Sequence, residues 1–197
     1  MTVFDTAEPV SRLLAGMAQC VAAKTYAETT IADIVREAGV SRRTFYEQFA
    51  TKAECLIALY EAASHQALDV LRNAIDQKQQ WETQIERALS AYLGAMAANP
   101  ALMRTLFVEI LGLGTEGLTA RRRVNQEIAD FIVVVTHSSR AKGQRALSPE
   151  LAMAIVGGIN ELVLACIERD DLAGLQDIVG PVSELVRAAA LYPARGR

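Results

Sequence analysis

Ser41, Arg42, Arg43 and Thr44 follow directly on a Gly39-Val40 pair, and they are the kinds of side chain that meet base edges in the major groove of DNA. An arginine fork bonds both acceptors of guanine, a contact worth about 1–3 kcal/mol of discrimination. Phe45 and Phe49, spaced i, i+4, would face inward on one helix. Arg42, Arg43 and Glu47 would then face outward, with Thr44 at the border. Tyr46, Thr30 and Lys52 fit phosphate contacts. The last two stand at expected helix amino termini, where free N–H groups and the dipole favour an anion. Spacing alone leaves Arg42 and Arg43 equally readable as solvated surface charges.

Other chemistry finds no foothold. The chain has no G-x-S-x-G, no H-E-x-x-H and no G-x-x-x-x-G-K, so no catalytic residue is assigned and the expectation is a protein that is not an enzyme. His65 and His137 have no cysteine or carboxylate at metal-ligand spacing. Cys20, Cys55 and Cys166 are odd in number and far apart, as expected of reduced, buried thiols. No metal and no cofactor is expected. The run Arg121, Arg122 and Arg123 could form salt bridges, face water or touch an acidic effector.

The residues that position the basic cluster read as helices. Leu13, Leu14, Met17, Ala18 and Val21 predict a first amphipathic helix over Ser11 to Lys24. Thr30 with Asp33 makes a capping box for a short second helix through Ile31, Ile34, Val35 and Ala38. Gly39 supplies a residue that tolerates left-handed backbone, Val40 can plug the core, and Ser41 can cap a third helix. Thr51 with Glu54 opens a long fourth helix that joins this head to a body. Further helices are predicted over Trp81 to Ala98, over Pro100 to Leu111 with Asn99 as cap, and over about Leu118 to His137. Two more follow, from Ser148-Pro149 to about Glu168 and from Leu172 to Leu191. Gly112 to Gly117 should close the sixth element. Pro181 either kinks the last helix or marks a second start after Gly180.

Composition sets the class. The chain is 51% hydrophobic with only 5 prolines, as in a helical globular protein, and all-α is the fold class. Uninterrupted apolar runs such as Ile132 to Val135 and Leu162 to Ile167 fall far short of the roughly 20 residues of a membrane span. Met1 to Pro9 carry two acids and no base, unlike a secretory signal, so a cytoplasmic protein with no membrane partner is expected. The net charge is -3, and Met1 to Lys52 carries six bases against six acids, so any DNA contact must be local rather than a broad basic field.

The stretch Thr25 to Glu54, T-Y-A-E-T-T-I-A-D-I-V-R-E-A-G-V-S-R-R-T-F-Y-E-Q-F-A-T-K-A-E, resembles the amino-terminal signature of the TetR family of transcriptional regulators. Tyr26, Thr29-Thr30, Ile34, Ala38-Gly39-Val40-Ser41, Phe45-Tyr46, Phe49 and Lys52 carry the resemblance. Thr25 departs from it where a glycine is common, and Glu47-Gln48 where an aromatic-histidine pair is frequent. Glu47 could repel phosphate or accept from a cytosine amino group.

The resemblance implies about nine helices: a helix-turn-helix domain over residues 1–52, and an effector-binding and dimerisation domain over 53–197. The last two helices would pair with those of a second copy. Small residues in Met153 to Ala165, with Leu185, Val186, Ala189 and Leu191, are compatible with that. Two recognition helices would then meet successive major grooves roughly 34–36 Å apart on a pseudo-palindromic operator. The expected function is a repressor released by a small apolar effector; an activator, or an architectural DNA-binding protein without effector, are the alternatives. Effector filling the body would tilt the fourth helix and change the separation of the recognition helices. Residues expected to contact effector are Tyr60, Trp81, Tyr92, Met96, Met103, Phe107, Phe131 and Asn160, with Leu89 and Ile110 beside them. Most aromatic and Met residues at helical spacing simply pack, whereas the Asn160 amide among apolar neighbours needs a partner.

Overall fold

A computed structural model describes residues 8–76, 78–138 and 147–190, without the side chains of Trp81, Glu82, Ala101 and Ser138. Every regular element among the described residues is helical. In chain order they are α1 (Pro9–Ala23), α2 (Ile31–Ala38), α3 (Arg42–Gln48), α4 (Lys52–Asn73), α5 (Trp81–Ala97), α6 (Pro100–Phe107), α7 (Thr115–Ser138), α8 (Pro149–Glu168) and α9 (Val179–Ala190). Short 3-10 helices cover Glu109–Leu113 and Ala173–Leu175.

The helices start where local chemistry predicts. Thr30 and Asp33 form the reciprocal capping box of α2, and Ser41 Oγ accepts from Thr44 N at 3.0 Å at the start of α3. Asn99 accepts from Leu102 N at 3.1 Å and Ser148 from Leu151 N at 3.2 Å, each with proline next in the first helical turn. At α4, Thr51 Oγ1 accepts from Glu54 N at 3.0 Å, but the Glu54 carboxylate reaches past Thr51 to the N–H of Ala50, at 2.7 Å.

Three boundaries differ from expectation. The sixth helix stops at Phe107 and tightens into the 3-10 segment, and Gly114, with φ 61°, turns the chain so that α7 starts at Thr115 with Gly117 inside it. The final element is divided: a 3-10 turn over Ala173–Leu175, then α9 from Val179. Pro181 therefore lies in the first turn of α9, where a missing N–H costs nothing, and marks a start rather than a kink. Leu191 and the loop residues 139–146 lie outside the described residues.

The chain forms two compact units. The first comprises residues up to Gln66 with Asn99–Arg121, so it extends beyond the Lys52 boundary expected for the head. Its core is Leu13, Met17, Ile34, Phe45, Leu56 and Leu59, all fully buried, with Leu102 and Leu113 packed against it. Leu56 and Leu59 make the first turns of α4 part of this core rather than a detached spacer. The second unit comprises Ala67–Ala98 and residues from Arg122 on. Arg187 Nη2 on α9 pairs with Glu86 on α5 at 3.0 Å, and the Gln176 amide bonds both the hydroxyl and the carbonyl of Ser90. In α8, Ala152, Ile155, Val156, Ile159, Val163 and Cys166 are buried. By length and composition α8 alone among single described helices could cross a membrane. Uninterrupted apolar runs undercount it, because Asn160 and Glu161 break them. Its six inward apolar residues are what the core helix of a packed unit also requires.

Gly16 sets the approach of α1 to α2. A Cβ there would stand 2.8 Å from the Ile34 carbonyl oxygen and 2.9 Å from the Ala38 nitrogen, both rigid backbone. Alanine gains about 1 kcal/mol of helix propensity over glycine, but prying apart two packed backbones costs about 1–3 kcal/mol. Gly16→Ala is therefore expected to lower the unfolding free energy in urea, and an unchanged or raised midpoint would show that α1 and α2 can separate without cost.

Candidate nucleic-acid interface and effector cavity

Gly39 ends α2 at φ 61° and ψ 37°, a left-handed conformation that also aims its carbonyl at Arg12 of α1, whose guanidinium donates to it at 2.6 Å. Arg12 entered the sequence reading only as one more charge. Its role as anchor of the turn depends on a partner 27 residues away. Held this way, α3 buries Phe45 completely, sets Tyr46 edge-on to it at 5.5 Å between ring centroids, and exposes Arg42, Arg43, Tyr46, Glu47 and Gln48. Ser41 and Thr44 share a hydroxyl hydrogen bond of 2.9 Å at the amino end.

Arg43 Nε donates to Glu47 Oε1 at 2.9 Å, with the arginine side chain 89% exposed. So exposed a pair is worth well under about 1 kcal/mol and yields readily to a competing acceptor. Glu47 is thus a tether for Arg43 along the helix, a role neither of the sequence readings gave it. Gln48, exposed beside it, is an amide able to bond adenine that the sequence reading did not single out.

Lys52 and Thr30, expected at phosphates, both make internal contacts. Lys52 Nζ turns inward, donating to the carbonyls of Tyr26 at 2.8 Å and Thr29 at 2.7 Å, and lies 4.1 Å over the Tyr26 ring. Burial, then the charge of Lys24, pulls its pKa below the usual lysine value. Two of its three protons are committed to closing the segment between α1 and α2. The Thr30 hydroxyl donates to Asp33 Oδ2 at 2.7 Å, and the same carboxylate accepts from Thr30 N at 3.0 Å, so the amino end of α2 already holds its own anion. Lys24 and Arg36 pair with Asp33 as well, at 2.7 and 3.0 Å.

The second unit holds a partly open, mainly apolar cavity of about 60 Å³. It brings together Tyr92, Phe131, Asn160 and Leu89 from the expected set, with Leu71, Ile85, Ile128, Val156 and Val186 among the aliphatic walls. The other described side chains expected at effector do not line this cavity. Tyr60, Met103, Phe107 and Ile110 are core residues of the first unit, and Met96 is buried in α5 away from the cavity lining. Burial pushes the Tyr60 hydroxyl up to about 12. Trp81 begins α5, but its side chain lies outside the described residues. Helical periodicity finds inward-facing positions but cannot say which interior they reach. His65 and His137 are exposed, the three cysteines are buried and unbridged, and no acidic, histidine or cysteine cluster able to hold a metal occurs among the described residues.

Residues 13–59, which run from α1 through the first turns of α4, match the sequence model of the bacterial regulatory proteins of the tetR family. This segment is similar to the amino-terminal domain of that family. The TetR-like fold extends over the rest of the chain. Fatty acid degradation regulator FadR from Bacillus halodurans superposes with a TM-score of 0.79 at 21% identity, covering 97% of this chain and 98% of that one. FadR from Bacillus subtilis, solved in complex with stearoyl-CoA, gives a TM-score of 0.74 at 18% identity over 89% and 96%. A tetR-family regulatory protein from Rhodococcus RHA1 gives 0.69 at 18% over 91% and 97%. Within the matched segment, α2, the turn at Gly39 and α3 make a helix-turn-helix.

Asp33 links two cations and a helix cap. The Lys24 ammonium, then the Thr30 hydroxyl and backbone N–H, and last Arg36, hold its carboxyl well below the usual carboxylate range. A depressed carboxyl pKa contributes stability that is present above the unfolded value, near about 4, and lost as pH falls through the folded one. Asp33→Asn is therefore expected to be less stable than the parent at pH 7. That difference should shrink progressively below about pH 4 in thermal melts; a gap independent of pH would show that packing, not charge, accounts for it.

Proposed function

We propose that this chain is a ligand-responsive transcriptional repressor that binds a pseudo-palindromic operator in the cytoplasm as a homodimer and is released by a small apolar or amphipathic effector. The carrying observation is the pairing, in one chain, of a helix-turn-helix with exposed arginines and a partly open apolar cavity in its second unit. A regulator of DNA binding alone would have no use for such a cavity, which forgoes packing contacts and so costs stability.

On the DNA side, Ser41, Arg42, Arg43 and Thr44 face base edges and Tyr46 a phosphate. Lys52 and Thr30 act as the frame that holds α3 rather than as phosphate ligands. Arg43 exchanges Glu47 for guanine, at little cost for so exposed a pair.

Support for a dimer through α8 and α9 comes from their outer surfaces. Leu151, Leu162 and Leu185 are large apolar side chains left exposed, Gly157 leaves open space beside α8, and Gly158 packs on Leu185 at 3.8 Å from where a Cβ would sit. A second copy covering this face would bury those leucines.

The effector reading draws on the structural neighbours, one of which was solved with an acyl-CoA bound. α4 carries Lys52 in its first turn and Leu71, a cavity residue, in its last. Effector that moves Leu71 therefore acts on the helix whose other end closes the DNA-binding domain, a two-state tilt of the kind that separates recognition helices.

Fluorescence anisotropy with DNA from upstream of the gene, across a salt series, tests the reading. The parent chain is expected to bind selectively. Arg43→Ala should lose roughly 10–100-fold in specific affinity, the equivalent of about 1–3 kcal/mol for one bidentate guanine contact. Equal binding of parent and variant to operator and to scrambled DNA would sink it.

A further inference from the structure

We infer that the effector of this cavity is an uncharged amphipathic molecule carrying a hydrogen-bond donor, an alcohol, phenol or primary amide on an apolar body, and that Asn160 is the residue that reads that donor. This rests on the effector-cavity reading proposed above and names the chemical class it takes.

Among the described residues, the cavity walls contain no lysine, arginine, histidine or carboxylate. Tyr92, Thr136 and Asn160 are its polar residues, and the rest of its lining is hydrocarbon. A carboxylate or ammonium buried there would have no counter-charge, and an unpaired buried ion is among the most costly arrangements a protein interior can hold. Ionised ligands are thereby disfavoured inside the walls.

Asn160 is the exception built into this surface. It lies in the middle of α8 at 7% exposure, where an asparagine brings two donors and a carbonyl that all require partners. Its Nδ2 donates to Asn125 Oδ1 on α7 at 3.2 Å. That bond fixes the plane of the amide and decides which end is satisfied. The Oδ1 end accepts no hydrogen bond from the described residues, and Asn160 is one of the residues that line the cavity. A half-satisfied amide on an otherwise apolar wall selects for a ligand that brings the missing donor. Asn125 does not line the cavity and is a positioning residue, holding Asn160 so that its oxygen stays available.

Thr136 does not compete for this role. Its hydroxyl proton is spent on the carbonyls of Ile132 at 2.7 Å and Val133 at 3.1 Å. What remains to the ligand is acceptor capacity, again suited to an incoming donor.

The test uses the full chain and a neutral fluorescent probe, N-phenyl-1-naphthylamine, displaced at pH 8 by four compounds that share a straight ten-carbon chain. These are decanamide and 1-decanol as donors, methyl decanoate as acceptor only, and decanoate as anion. The donors are expected to displace the probe at least roughly tenfold more tightly than decanoate, and more tightly than the ester, as one neutral hydrogen bond to a buried partner allows. Asn160→Leu should keep probe binding and abolish the preference for the amide. Asn125→Ala, at a half-buried position, should weaken the preference while Asn160 remains, and it serves if the leucine variant fails to fold. Decanoate or the ester binding as tightly as the amide overturns the assignment, as does a preference that survives in both variants. Probe that does not bind the parent chain at all removes the effector cavity itself, and with it the reading on which this inference rests.

Discussion

The carbonyl of Gly39 is the point on which the DNA-binding end turns. A left-handed residue must link α2 to α3 if the two helices are to cross tightly, and in that conformation the carbonyl of Gly39 leaves the helix without an intrahelical donor. Arg12 supplies the donor from α1. The guanidinium stands 2.8 Å from where a Cβ at this position would lie, and the left-handed φ of 61° is what disfavours other residues there. With the turn anchored, Phe45 can be buried completely, and only then do Arg42 and Arg43 stand on the far side of a rigid helix instead of on a loop.

Polar groups around this turn work as scaffolding more than as ligands. Lys52 gives its charge to two carbonyls and a ring face, Asp33 gathers Lys24, Arg36 and Thr30, and Thr44 bonds Ser41. The charged groups left outside this scaffolding on α3 are Arg42, Arg43 and the glutamate that loosely tethers it, Glu47. A neutral domain can therefore still present a positive point, because this short exposed helix carries two arginines against one acid.

The second unit follows the opposite logic, with hydrocarbon walls and one amide among them. Its cavity is assembled from α4, α5, α7, α8 and α9, so its shape belongs to the packing of the unit as a whole. Asn160 with Asn125 is the place where the wall departs from apolar packing, and chemical selectivity follows from that departure rather than from volume.

Much of this was legible in residues alone. Caps at Thr30, Ser41, Asn99 and Ser148 act across three residues, the 3.6-residue period needs only its own helix, and Gly39 is required by its own backbone angle. The helical class, the nine segments and the outward direction of Arg42 and Arg43 are therefore properties of the sequence read locally. The destination of each long side chain is not. Lys52 reaches carbonyls 26 and 23 residues back, and the cavity joins Tyr92 to Val186 while leaving Tyr60, Met103 and Phe107 in another core. An inward-facing residue announces burial through its periodicity, but which interior it enters depends on how distant helices pack, and only the tertiary structure decides that.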